Sequence, residues 1–143
     1  MVYQIIDKIK SALLDESPFV TTVTEGDIFD VDVAKKTLFP LSHIILNNST
    51  HNGNTIQFNI SVILMDIIDE NKVDVGNKVD IWNTQHLVAV RVLNKLNRGD
   101  LRDGTIELLN NPSFEFFTER FENNLAGVTM TFDVIVLNDV SVC

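Results

Sequence analysis

At 143 residues the chain has the length of one domain, enough to bury a core without disulfide or metal staples. Hydrophobic residues at 45% and charged ones at 22% match ordinary folded proteins and exclude disorder across the whole chain. Acidic residues outnumber basic ones 20 to 11, and the resulting charge of −9 repels a phosphate backbone, which argues against sequence-specific nucleic-acid binding. The lone cysteine, Cys143, leaves one chain unable to form an internal disulfide or a cysteine zinc site, which suits a reducing cytoplasm.

The opening MVYQIIDKIKSALLD interrupts its apolar residues with Asp7, Lys8 and Lys10, so neither a signal-peptide core nor a membrane span is expected there. Ile5, Ile6, Ile9, Ala12 and Leu13 instead recur at helical spacing and predict an amphipathic helix over Val2 to Leu14, stopped by Ser17-Pro18. Phe19 to Thr24 is aromatic and β-branched before the turn residues Gly26-Asp27, which predicts a first strand. From Asp27 to Pro40, Phe29, Val31 and Val33 alternate with Asp30 and Asp32 ahead of Lys35-Lys36. An extended arm or loop with one apolar face follows from that pattern, and it makes Phe29, Val31, Val33, Lys35 and Lys36 candidate interface residues.

Leu41 to Leu46 reads as a short strand, and the turn-forming Asn47 to Asn54 as the loop of a hairpin. In the return strand Ile56, Phe58, Ile60, Val62 and Leu64 alternate with polar residues, giving one core face. Past Val62 the added Ile63, Met65 and Ile67 call for cover on both faces. From about Val75 to Leu96, the stripe of Val75, Val79, Trp82, His86, Ala89, Leu93 and Leu96 predicts a long helix across the sheet, with Ile81, Val88 and Val92 widening its apolar face. Strands are expected again over Thr105 to Leu109, Ser113 to Phe121 and Leu125 to Leu137. In the last of these, Val128, Met130, Phe132, Val134 and Val136 share a face. The order predicts a single α+β domain with a mixed, largely antiparallel sheet, packed by the long central helix and the N-terminal helix.

No pattern in the chain carries catalysis. The acidic Asp66, Asp69, Glu70 and Asp74 lack the alternating spacing and mid-loop glycine of a calcium loop, and read as a solvated turn ahead of the helix. His43, His51 and His86 fall on a strand, a loop and a helix without metal-ligand spacing, and no serine sits in a nucleophile elbow. Single scattered glycines give no phosphate loop. Phe114, Phe116, Phe117 and Phe121 are interleaved with Glu115, Glu119 and Glu122 where base stacking would want cations, so Phe114, Phe116 and Phe117 are assigned to core and subunit interface. Neither an enzyme activity nor a cofactor is expected.

The segments GDIFDVDVAKKTLFPLSHIIL, TIQFNISVILMDIIDENK and FTERFENNLAGVTMTFDVIV, with the amphipathic first helix, span most of the chain from about Ile5 to Val136. Together they resemble a family of small structural proteins of tailed bacteriophages, especially those infecting Bacteroidetes: tail terminators and tail-completion or neck ring proteins. The resemblance implies a subunit of a homo-oligomeric ring, a hexamer or dodecamer, assembled in the host cytoplasm into the virion. Its neighbours would be portal, neck and tail proteins, with DNA passing through the lumen unread and no membrane contact. A small-ligand-binding or enzymatic α+β domain is the alternative, since fold alone does not settle function.

Overall fold

The computed structural model describes residues 2–17, 19–26, 40–67, 78–96, 106–108, 112–118 and 125–137. Two helices, α1 (Val2–Leu14) and α2 (Lys78–Lys95), accompany strands β1 (Thr22–Glu25), β2 (Leu41–Asn52), β3 (Thr55–Ile67), β4 (Ile106–Leu108), β5 (Ser113–Thr118) and β6 (Leu125–Leu137). The strands form one mixed sheet in the order β1-β2-β3-β6-β4, with β5 also on β6. Among the described residues only the β1–β2 pair is parallel, running from Thr22 opposite Leu41 to Glu25 opposite Ile44; the other pairs are antiparallel. The chain is thus an α+β fold.

Alternation along the central strands decides where the core sits. Phe58, Ile60, Val62 and Leu64 of β3 and Met130, Phe132, Val134 and Val136 of β6 point to one side, where they join Ile5, Ile9, Ala12 and Leu13 of α1. Val88, Ala89, Val92 and Leu93 of α2 close the same cluster, and each such aliphatic residue fully removed from water contributes about 1.5–3 kcal/mol. The opposite sheet face divides in two. At the β1 end Leu41, Ile63, Met65 and Leu125 are buried, so the far end of β3 is covered on both faces as its sequence demands. Toward the hairpin tip the same face carries a polar ladder: Asn47 Nδ2 donates to Asn59 Oδ1 and Ser61 Oγ at 2.8 Å each, and Asn59 Nδ2 donates to Asp133 Oδ1 at 2.8 Å. Ser61 and Thr131 hydroxyls close it at 3.1 Å.

Three expectations are corrected here. The hairpin loop is not Asn47 to Asn54 but Gly53-Asn54 alone, because the side-chain ladder and continued pairing to Asn52 opposite Thr55 hold the Asn/Ser/Thr run in β2. Gly53, at φ 69°, supplies the left-handed residue of that short loop. The first strand begins at Thr22, leaving Phe19 exposed in the approach, where its carbonyl accepts from Gln85 Nε2 at 3.4 Å. The start of the α2 stripe also departs from expectation: Ala89, Leu93 and Leu96 are buried with Ile81, Val88 and Val92 beside them, but Trp82 and His86 lie at the flank, Gln85 turns inward and Val79 is 54% exposed. At this flank the aromatic side chains of β5 meet Trp82 and His86, and Trp82 also packs against the buried Ile81 and Ala126.

A candidate assembly interface

β5 occupies the outer edge of β6 at the end of the sheet that β1 occupies on the other side. Its register sets Phe114 opposite Met130 and Phe116 opposite Val128, which turns both rings toward α2, and Phe117 opposite Gly127, which turns that ring to the other face. The His86 ring meets Phe114 nearly edge-on at 4.8 Å and Phe116 at 5.5 Å, while Trp82 meets Phe116 in a T-shape at 5.9 Å. Such edge-to-face contacts contribute about 0.5–1.5 kcal/mol beyond area burial. Trp82 Nε1 also donates to the Phe117 carbonyl at 2.9 Å, tying the start of α2 to β5. Phe117 itself is buried, Phe114 half-buried and Phe116 is 49% exposed. Of the three aromatics assigned to core and interface, one is interior, one bridges to α2 and one opens to solvent.

The opposite edge has its own exposed apolar residue. β1 covers β2 as far as Ile44, whose carbonyl accepts from Gly26 N–H at 3.1 Å; beyond it, among the described residues, Ile45 to Thr50 pair with β3 only. The Ile44 carbonyl points outward, so strand alternation turns the backbone groups of Leu46 outward as well. Leu46 stands on the helix side opposite Ile60 and is 40% exposed. Sequence reasoning placed Leu46 at the end of an apolar run without showing that it escapes burial; the run of turn formers directly after it was the available sign. Phe29, Val31, Val33, Lys35 and Lys36 lie outside the described residues, as do Asp69, Glu70 and Asp74 of the acidic cluster.

The polar groups elsewhere are structural ties. His43 is fully buried with Nδ1 2.6 Å from the Thr24 hydroxyl, joining β2 to β1. Arg91 Nη2 meets Glu16 Oε2 at 3.2 Å and Lys95 meets Asp15, which fixes the end of α1 to the second half of α2. Among the described residues no group of three His, Cys, Asp or Glu side chains is placed to hold a metal ion, and no helix is long and apolar enough to cross a membrane.

Neither a family model nor a curated protein matches the chain.

Proposed function

We propose that the chain is a structural virion protein of a tailed phage, a ring-forming neck or tail-terminator subunit at the head-tail junction. The observation that carries the reading is the sheet's pair of opposite edges, each ending in a large, half-exposed apolar side chain on the helix side, Leu46 on β2 and Phe116 on β5. An uncovered edge next to an exposed apolar residue invites another chain. Two such edges on one subunit, paired among the described residues only on their inner side, suit a head-to-tail contact, which closes into a ring when the rotation between copies allows. The resemblance of three sequence segments to tail-terminator and neck proteins supplies the class of assembly, and with it portal, neck and tail proteins as neighbours.

Size-exclusion chromatography with light scattering, followed by negative-stain imaging, tests the reading. Closed rings of one size are expected. A protein that stays monomeric at high concentration and binds a small ligand would instead support the ligand-binding or enzymatic alternative.

A further inference from the structure

Resting on the ring reading, we infer which surfaces join the copies: the edge of β2 around Leu46, which among the described residues pairs with β3 only, docks in one subunit against β5 and the Phe116–Trp82 ring pair of the next. Direction, facing and charge all favour this pairing. β2 runs antiparallel to β3, β3 to β6 and β6 to β5, so with the helices of both copies on the same side, β2 of one and β5 of the other approach antiparallel. Leu46 and Phe116 both stand on the helix side, so they land on the same face of the joined sheet. The contact brings an exposed leucine onto an exposed phenylalanine and a half-buried tryptophan, which leave water together.

Charge narrows the choice of partner edge. With a net charge of −9, a contact between two copies has to avoid setting acid against acid. The β2 stretch from Ile45 to Asn52 carries no Asp, Glu, Lys or Arg, so it can lie against β5, which holds Glu115, without like-charge repulsion.

The register also fixes an offset. Phe116 lies level with Val128, Leu64 and Ser42 across its own sheet, whereas the receiving edge opens only beyond Ile44, where β1 ends. Bringing Phe116 to Leu46 therefore slides neighbouring copies along the strand direction by at least about 13 Å, at about 3.3 Å per residue. A stagger of constant sign is what a twisted sheet needs to close on itself.

The test uses Leu46→Glu and Phe116→Glu, both at half-exposed positions; Phe116→Glu also gives up the ring contacts with Trp82 and His86, so circular dichroism melts confirm that each variant folds. Each variant alone is expected to lose the ring, and an equimolar mixture to recover one-to-one heterodimers, because each retains the half that the other lacks. The sole tryptophan, Trp82, should shift its emission to shorter wavelength on mixing. In the wild-type protein, amide exchange at Leu46 to Thr50 should slow as concentration rises through assembly. Loss of assembly with Leu46→Glu but not with Phe116→Glu would mean β2 pairs with its own copy, and overturns the inference. Rings that survive both substitutions, or unchanged exchange at Leu46 to Thr50, overturn the docking surface while leaving the ring reading standing. A wild-type protein that is monomeric at all concentrations removes both.

Discussion

Gly53 and Gly127 both need to be glycine, for different physical reasons that mutation separates. Gly53 has φ 69° and nothing near a built Cβ, so only backbone strain opposes a side chain there. Gly53→Ala is expected to cost about 1 kcal/mol and Gly53→Asn less, because asparagine enters the left-handed region more readily. Gly127 is limited by space: a Cβ would lie 2.0 Å from the Leu64 carbonyl oxygen and 2.9 Å from Met65 Cα, both backbone atoms of the adjacent central strand. The β3–β6 ladder runs unbroken from Thr55 to Ile67, so neither strand can step aside without losing its pairing. Gly127→Ala should destabilise by about 3 kcal/mol or more, the upper end for overpacking. Urea denaturation of the three variants checks the order, and a Gly127→Ala protein as stable as Gly53→Asn would contradict it. Leu93, 7% exposed in the main cluster, belongs with the ordinary core: Leu93→Ala is expected to cost about 2–5 kcal/mol in the same assay.

Among the elements, α2 is held at its two ends by different means, and the difference predicts which end loosens first. The C-terminal half is tied to α1 by the Arg91–Glu16 and Lys95–Asp15 ion pairs, exposed on at least one side and worth at most about 1 kcal/mol each. The N-terminal half is held by buried Ile81, by His86 against Phe114 and by Trp82, whose indole donates to the Phe117 carbonyl and meets the Phe116 ring. Trp82→Phe keeps a ring against Phe116 but removes the donor, so a loss of about 0.5–1.5 kcal/mol is expected, with faster amide exchange in the first turns of α2 than in the last. Equal exchange at both ends would show that the indole tie does not hold the helix. The attachment also marks the limit of what the sequence disclosed. The α+β order, the span of α1, and the core faces of β3 and β6 were legible because a strong period runs the length of each element. The buried Ala89, Leu93 and Leu96 of α2, with Ile81, Val88 and Val92 beside them, were legible in the same way; the flank placement of Trp82 and His86, which meet β5 far away in sequence, was not. Likewise Asn47 to Asn52 carry turn chemistry, but the cross-strand bonds from Asn47 to Asn59 and Ser61 hold them extended. For the candidate interface, the period of β5 was enough to mark its phenylalanines as a group. Which of them faces solvent depended on Gly127 and α2.

At the scale of the molecule, charge bears on what the proposed ring would do to DNA passing through it. A net charge of −9 is repeated in every copy, so an assembled ring multiplies an acidic field rather than a basic one. Local basic patches are the only way to reverse it. Arg91 and Lys95, on one face of α2, are each met by a carboxylate, Glu16 and Asp15, so that stretch presents paired rather than bare cations. Tight duplex binding draws its free energy from releasing counterions at each phosphate a cation neutralises, and a lumen lined by acids or by paired ions releases few. A lumen of that kind lets DNA slide, whereas one rich in unpaired lysine and arginine would hold the backbone and oppose its exit. Assembled rings are therefore expected to bind duplex DNA poorly at physiological salt, and lowering the salt should improve binding only slightly. A mobility-shift titration at several salt concentrations checks this. Tight binding that falls steeply as salt rises would show that basic residues gather on one surface and override the global charge, with Lys35, Lys36, Arg98 and Arg102, which lie outside the described residues, as the first positions to neutralise.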